Sequence, residues 1–363
     1  MPSNGGIPRK GAEISMNVIF RRNALCGTFA IALLSGCGSG MSPTQSREIS
    51  PGTPAQSRAF GGPSVDRLAL TIKADRHGSW MAPDAKKTKN LLYVADQSAN
   101  DVLVYSYPAG KLKGTLTGFE TPTGICSGKN GDVVILNGNG TTAVVYAHGG
   151  SSPLRTLDLP GYPELNCSID PKTGNLALGV LAGSCGDCVA VFSKAQGIPT
   201  TYMPSNQNGV PGCGYDNSGN LYCDAYGSGG AFALYELSSG GSSFKSISVS
   251  GANGLTAASI QWDGTDLAFA SGAGSTLYQI KLSGSSGSIA GSTALTGAGS
   301  VWQFWITKNL GNKKHKGIRV IAPTYGGSAG SVAGYWNYPA GGDPTQTITG
   351  FSQPDGAALS TKK

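Results

Sequence analysis

The sequence predicts an all-β fold, a six-bladed β-propeller, from a repeated phrase, a regular strand spacing and the composition. Residues 107–110 and 338–341 both read Tyr-Pro-Ala-Gly, and residues 118–124 and 350–356 both read Gly-Phe-x-x-Pro-x-Gly. Two phrases that recur in the same order indicate one supersecondary unit copied along the chain. The 363 residues include 56 Gly and only 13% charged residues, which favours short strands joined by tight turns.

Six strands with one apolar pattern give the number of repeats. They begin at Leu92, Val134, Leu176, Leu221, Leu267 and Ile318. Consecutive starts are 42 to 51 residues apart, which is the spacing of propeller blades. A second strand follows each of them and carries an aromatic residue at a matching place: Tyr105, Tyr146, Phe192, Tyr235, Tyr278 and Trp336. A polar strand follows this second strand, and a strand that begins with Pro or Gly precedes the aligned strand. Each unit is therefore predicted to be a four-stranded blade.

The two ends of the repeat region are predicted to close the ring. The first unit begins at its second strand, near residue 90, and residues 353–360 form an orphan first strand. If this C-terminal strand pairs with the first blade, no sheet edge stays unpaired at the seam, and an open edge is an aggregation hazard. An open β solenoid or a pair of sandwiches is the alternative architecture.

Residues 1–36 are predicted to be a leader and export signal, with Met16 as an alternative start. Two arginines precede an apolar run at residues 24–34, which is too short to cross a bilayer. The run is followed by Leu-Ser-Gly-Cys, which ends at Cys37 and resembles a bacterial lipobox. The resemblance implies that Cys37 carries a lipid that anchors the protein to the membrane. The Gly-Ser that follows lacks the Asp that would favour the inner membrane, so the outer membrane or cell surface is favoured. A plain secretory signal cut nearby is the alternative.

The rest of the chain divides into a tether and one domain. Residues 37–65 are rich in Gly, Ser, Pro and Thr and cannot bury enough apolar surface to offset the entropy of ordering. Residues 66–363 hold the repeats and are predicted to be the propeller. A basic cluster at residues 308–316 is expected in a hairpin turn, either as a solvated loop or as a contact for an anionic partner. No basic stripe is interleaved with aromatics, so no nucleic-acid partner is expected.

The repeats resemble those of NHL- and YVTN-type bacterial β-propellers. The resemblance covers residues 66–360 and rests on the Tyr-Val-Ala-Asp strand at 93–96 and the Pro-x-Gly segments at 122–124 and 354–356. It implies a surface-exposed or periplasmic binding or scaffold role, with a minority of enzymes. A fold alone does not define a function, so the site must be argued separately.

The cysteines of the repeat region are predicted to be structural. An even number in an exported chain indicates disulfides, and six are present: Cys126, Cys167, Cys185, Cys188, Cys213 and Cys223. Cys213 and Cys223 flank a hairpin turn symmetrically, so an antiparallel register would place them opposite each other. Cys185 and Cys188 could close on themselves, which leaves the first two as a pair by elimination. Redox or metal chemistry at Cys185-x-x-Cys188 is the alternative, although no helix start or second ligand pair accompanies it.

Residues that could support catalysis are few. The three histidines, His77, His148 and His315, show no metal-ligand spacing and are expected at the surface. No Gly-x-Ser-x-Gly elbow is present, and the Gly-rich stretches precede strands, so they do not form a phosphate loop. The sequence therefore assigns no catalytic residue, no metal ligand and no cofactor.

Three polar residues are candidates for the mouth of the propeller channel. Asp96, Asn137 and Asp224 fall near the ends of aligned strands. One interpretation is a carboxylate pair or a calcium site. The favoured interpretation is that these side chains cap turns and bind backbone amides.

The sequence thus favours a lipid-anchored envelope module that binds or scaffolds a glycan or a protein partner. Its ligand would lie over the channel mouth or on a blade-top loop. There Trp262, Trp302 and Trp305 are either binding aromatics or packing residues. The alternative is an envelope hydrolase or lyase that acts on a saccharide or lactone through acids at the channel mouth.

Overall fold

The computed structural model describes residues 78–272, 274–307 and 317–363. The predicted leader, the lipid-anchor cysteine, the tether and the basic cluster lie outside the described residues. Strands dominate the described part, which confirms the all-β class. Its helical segments are three short 3-10 helices: Ala85–Lys87, Ser193–Ala195 and Ser228–Gly230. Within these described ranges, no helix is long and apolar enough to cross a membrane.

The first three repeats each contribute four strands. The first contains β1 (Trp80–Met81), β2 (Asn90–Asp96), β3 (Asp101–Ser106) and β4 (Lys111–Leu116). The second contains β5 (Pro122–Ser127), β6 (Val133–Asn137), β7 (Thr142–Tyr146) and β8 (Pro153–Asp158). The third contains β9 (Tyr162–Ile169), β10 (Leu176–Gly183), β11 (Gly186–Phe192) and β12 (Thr200–Tyr202).

The last three repeats follow the same plan, and one further strand completes the chain. The fourth contains β13 (Gly212–Tyr215), β14 (Leu221–Tyr226), β15 (Phe232–Leu237) and β16 (Lys245–Ser250). The fifth contains β17 (Ser259–Trp262), β18 (Leu267–Ala270), β19 (Thr276–Ser283) and β20 (Ser286–Ala294). The sixth contains β21 (Trp305–Ile306), β22 (Arg319–Gly327), β23 (Gly330–Asn337) and β24 (Gly341–Thr349), and β25 (Pro354–Thr361) comes last.

The strands pair as antiparallel four-stranded arrays. β5 to β8, β9 to β12 and β21 to β24 each form a separate sheet. β13 to β20 form one eight-stranded sheet, in which two antiparallel arrays are joined by parallel pairing of β16 with β20. The six strands expected from the spacing are β2, β6, β10, β14, β18 and β22, and each begins within two residues of its predicted start.

The C-terminal strand completes the first sheet. β25 pairs antiparallel with β2, and β1, β3 and β4 extend the same sheet. Leu92 lies opposite Leu359, and Val94 lies opposite Ala357. The predicted pairing of residues 353–360 with the first repeat is therefore confirmed.

His148 lies at the seam between the chain's first and last strands. The sequence expectation of a surface position for this residue is wrong, because the ring is half-buried and both nitrogens have partners. Nδ1 lies 2.7 Å from Ser360 Oγ in β25, and Nε2 lies 2.7 Å from the Thr88 carbonyl oxygen before β2. Burial is the main cause that lowers the pKa of His148. His77 and His315 lie outside the described residues.

The innermost strands of successive sheets run in the same direction. Gly356 of β25 lies against Thr123 of β5, where a Cβ on the glycine would clash with the Thr123 carbonyl oxygen. Three residues further on, Ser127 Oγ donates to the Leu359 carbonyl at 2.7 Å. The same parallel arrangement continues through β9, β13 and β17. We call the edge where these inner strands begin the upper face and the edge where they end the lower face.

The apolar core lies between neighbouring sheets. Leu92 and Val94 of the first sheet pack with Tyr335 of the sixth repeat, and Tyr105 contacts Phe351 edge to face. The predicted strand aromatics are all buried or half-buried in these layers. Each large apolar side chain that is fully buried contributes about 1.5–3 kcal/mol relative to an exposed position, so the repeated aromatic serves as a packing residue between blades.

Candidate functional site

The three polar residues proposed for the channel mouth lie on the upper face, in different sheets. Asp96 ends β2, Asn137 ends β6, and Asp224 lies near the end of β14. Each of these strands runs antiparallel to the inner strand of its own sheet. Their ends are therefore found where the inner strands begin.

Asp96 and Asn137 hold the backbone that leads into inner strands. The buried Asp96 carboxylate accepts hydrogen bonds from the N–H of Ser352 at 2.6 Å and of Gln353 at 2.7 Å, directly before β25. Asn137 Oδ1 accepts from the N–H of Glu120 at 2.6 Å, shortly before β5. Hydrogen bonds to a carboxylate are about twice as strong as neutral ones. Both contacts fit the capping interpretation of these residues.

Asp224 is an internal group beneath the upper face. Its side chain is completely buried, and Oδ2 accepts a hydrogen bond from the N–H of Ala258 at 3.1 Å. Burial raises the pKa of Asp224 to about 8, with backbone hydrogen bonds opposing the shift and nearby Glu164 adding to it. The carboxyl group is therefore mostly protonated at neutral pH. In the part of the chain that the structure describes, no group of His, Cys, Asp or Glu could hold a metal ion.

Two buried side-chain amides connect inner strands of different sheets. Gln303, just before β21, accepts from the N–H groups of Ile125 at 2.9 Å and Ala357 at 3.0 Å, and donates to the Ile125 carbonyl at 2.6 Å. Asn166 of β9 connects β13 and β17 in the same way. Sequence reasoning missed both amides, because one polar residue in an apolar strand does not reveal its partners.

The three tryptophans considered as binding aromatics take part in packing. Trp305 packs against buried clusters from three different pairs of sheets. Trp262 packs between the fourth and fifth repeats. Trp302 packs against the cluster of the fifth and sixth repeats, and its Nε1 donates to Tyr325 Oη at 2.9 Å. The packing interpretation therefore describes their contacts.

The disulfides predicted from the sequence are confirmed. The pairs are Cys126–Cys167, Cys185–Cys188 and Cys213–Cys223, with Cα–Cα distances of 5.6, 6.0 and 4.1 Å. The first bridge connects β5 to β9, which belong to adjacent sheets. The third joins residues that lie directly opposite in the β13–β14 register. The cysteines therefore act as structural bridges.

A cleft of about 360 Å³ opens on the lower face between the second and third sheets. Residues of the turns at 128–132 and 170–174 form two of its walls. Lys194 and Ala195, which follow β11, form a third wall, and Lys363, beyond β25, also lines the cleft. Apolar side chains of β6, β7 and β9 form the floor.

The cleft is basic. Five cationic side chains line it: Lys129, Arg155, Lys172, Lys194 and Lys363. Lys129, Lys194 and Lys363 form no ion pair with any described residue. Sequence reasoning missed this cluster, because its members are spread from residue 129 to residue 363 and only the fold brings them together.

The two carboxylates of the cleft are occupied by neighbours in their own turns. Asp170 accepts from the Lys172 N–H at 2.8 Å and from the Thr173 hydroxyl group. Asp132 accepts from the Asn130 side-chain amide at 2.6 Å, and Arg155 Nη2 lies 3.9 Å from it. These contacts shape the turns, and neither acid forms an ion pair with Lys129, Lys172 or Lys194.

Antiparallel four-stranded arrays that repeat around adjacent parallel inner strands define the chain as a β-propeller. The chain is similar to one in the crystal structure of a nidogen/laminin complex, with 10% identity and a TM-score of 0.58 over 76% of this chain and 99% of that one. It is also similar to a protein of unknown function from Bacteroides caccae, with 14% identity and a TM-score of 0.55 over 75% and 99%. At these identities the likeness shows the fold alone. No family model matches the chain, and no curated protein matches it in sequence.

Proposed function

We propose that this chain is a six-bladed β-propeller that acts as a binding or scaffold module for a glycan or a protein partner. One five-stranded sheet, three four-stranded sheets and the eight-stranded sheet, counted as two blades, support a count of six. β25 then supplies the inner strand of the first blade.

The observation that carries the binding role is the basic cleft on the lower face. Its volume lies in the range of about 300–1,000 Å³ that is usual for small-molecule sites. The acids on the upper face bind backbone amides and maintain the fold. Lys172 Nζ donates to the Ser218 carbonyl oxygen at 2.8 Å. Lys129, Lys194 and Lys363 form no ion pair with a described residue, so a ligand can use them.

We further propose that Cys37 carries a lipid that anchors the module to the bacterial envelope, at the outer membrane or cell surface. The lipobox-like ending and the Gly-, Ser- and Pro-rich tether support this part of the proposal. In a bacterial host, we expect the protein to partition into a detergent phase and Cys37→Ser to stay in the aqueous phase. Equal partitioning of both would contradict the anchor.

A thermal-shift screen tests the binding role. The full chain with Cys37→Ser is heated with neutral glycans, acidic glycans and fractionated envelope extract. A ligand that binds only the folded state raises Tm by mass action. At a ligand concentration of one hundred times Kd, it adds about 2.7 kcal/mol to the free energy of unfolding. Turnover of a saccharide or lactone that is lost in Asp96→Asn would contradict the binding role and favour the enzyme alternative.

A further inference from the structure

We propose that the basic cleft on the lower face binds the phosphoryl group of a phosphorylated saccharide. This inference rests on the proposed binding function and names the ligand class of the same site. Three observations support it: cleft lysines that form no ion pair with a described residue, the backbone conformation of one wall, and the residues that line the cleft.

The charges favour a doubly charged anion. Lys129, Lys194 and Lys363 come from three separate segments, line one cleft and form no ion pair with a described residue. Like charges that line one cleft repel each other, and the repulsion is stronger near a protein surface than in bulk water. A phosphomonoester carries about −1.5 to −2 charges at pH 7 and three acceptor oxygens. It can therefore relieve the repulsion among several ammonium groups at once.

The wall that carries Lys194 is held in an uncommon backbone conformation. Lys194 and Ala195 both have left-handed backbone angles, with φ values of 50° and 52°. Such non-glycine residues are strained, and they tend to occur at ligand-binding sites. The Arg155 Nε–H donates to the Ala195 carbonyl at 2.8 Å, and Asn175 Oδ1 accepts from the Lys194 N–H at 3.1 Å. Arg155 is thus a positioning residue that fixes this wall.

The lining fits a sugar better than a polypeptide or a membrane surface. Asn130 and Thr173 place amide and hydroxyl groups on the walls, where they also bond Asp132 and Asp170, and Ile169 adds a partly buried apolar side chain. A sugar ring presents hydroxyl groups and C–H groups that match both kinds of surface. The volume of about 360 Å³ is near the lower end of ligand sites, so it suits one small ring with its phosphate.

Calorimetric titration of the full chain with Cys37→Ser tests the inference. The probes are glucose 6-phosphate, glucose, inorganic phosphate and vesicles that contain phosphatidic acid. The test variant is Lys129→Gln with Lys194→Gln. The control is Lys111→Gln with Lys245→Gln, which removes the same charge from exposed strand positions outside the cleft.

We expect glucose 6-phosphate to bind more tightly than inorganic phosphate, and glucose to bind very weakly. The cleft variant should raise the Kd for glucose 6-phosphate at least about tenfold, because charge-assisted hydrogen bonds contribute about 1.5–3 kcal/mol each. The control variant should change it less than about twofold, since exposed distant charges are screened by salt. Added salt should weaken the binding for the same reason.

Other results would overturn the inference and identify which part is wrong. Equal binding of glucose and glucose 6-phosphate would exclude the phosphoryl group but leave the proposed glycan-binding function intact. Equal binding of inorganic phosphate would exclude the saccharide, and binding of the vesicles alone would identify a membrane contact. If no probe binds, a positive thermal-shift screen keeps the proposed function, whereas a negative screen removes both.

Discussion

The upper and lower faces of the propeller use ionisable residues in opposite ways. On the upper face, Asp96 and Asp224 accept hydrogen bonds from backbone N–H groups that lead into inner strands. On the lower face, Lys129 and Lys194 line a cleft and form no ion pair with a described residue. An ionisable residue near a strand end can therefore have either of two roles. The backbone partners within its reach, N–H groups for an acid and carbonyl groups for a lysine, decide whether it supports the fold or is available to a ligand.

The largest expected effect concerns the bridge that connects the two sheets of the cleft. Cys126→Ala with Cys167→Ala opens a loop with a sequence separation of 41, and loop-closure entropy predicts a loss of about 4 kcal/mol in the free energy of unfolding. Urea denaturation measures it. Cys185→Ala with Cys188→Ala is the matched control on the upper side, because its separation of 3 predicts a loss of only about 1.6 kcal/mol. Equal losses would mean that the stabilisation by a bridge does not depend on the length of the loop that it closes.

The next effect tests the structural role of the acids on the upper face. Asp96→Ala removes the acceptor of two backbone N–H groups before β25. We expect the free energy of unfolding to fall by about 2–3 kcal/mol, because hydrogen bonds to charged groups contribute about 1.5–3 kcal/mol. Asp343→Ala, at an exposed position of β24, should change it by less than about 0.5 kcal/mol. Similar changes for both variants would refute the capping role.

A pH series tests the buried acid of the same face. The pKa of Asp224 is about 8 in the folded chain, whereas an unfolded Asp titrates near about 3.9. The folded state then keeps a proton that the unfolded state releases, so this group's contribution to stability falls as pH rises from about 4 to about 8. Asp224→Asn keeps an oxygen for the Ala258 N–H and cannot ionise. We expect its Tm to fall less steeply with pH than that of the unsubstituted protein, and parallel profiles would contradict the raised pKa.

Sequence reasoning predicted most of the fold because the repeat carries local signals several times over. The apolar strands, the strand aromatics and the Pro-x-Gly segments recur. Residues 353–360 form a first strand without a repeat of their own, and the first repeat lacks such a strand, so their pairing was expected. Gly124 and Gly356 end two of those segments at points where the next inner strand leaves no room for a Cβ. The symmetric spacing of Cys213 and Cys223 about a turn gave their pairing directly.

The candidate site could not be predicted in the same way, because its residues come from different sheets and are brought together only by the fold. Lys129, Lys172 and Lys194 follow the ends of three different strands, and each reads in the sequence as an ordinary turn lysine. Burial of Asp224 is also not readable from its position, because its partner, the Ala258 N–H, belongs to a segment 34 residues further along the chain. The sequence around one residue does not show which hydrogen-bond or cleft partners another sheet will supply.

The smallest expected effect is the one that separates the two faces most clearly. Lys129→Gln with Lys194→Gln should change the free energy of unfolding by less than about 0.5 kcal/mol, as is usual for surface residues without structural partners. A small gain in stability would also agree, because the substitutions reduce repulsion among the cations of the cleft. Thermal denaturation at low salt measures this change beside that of Asp96→Ala. A loss as large as that of Asp96→Ala would mean that the cleft lysines hold the fold together, and the distinction between the faces would fail.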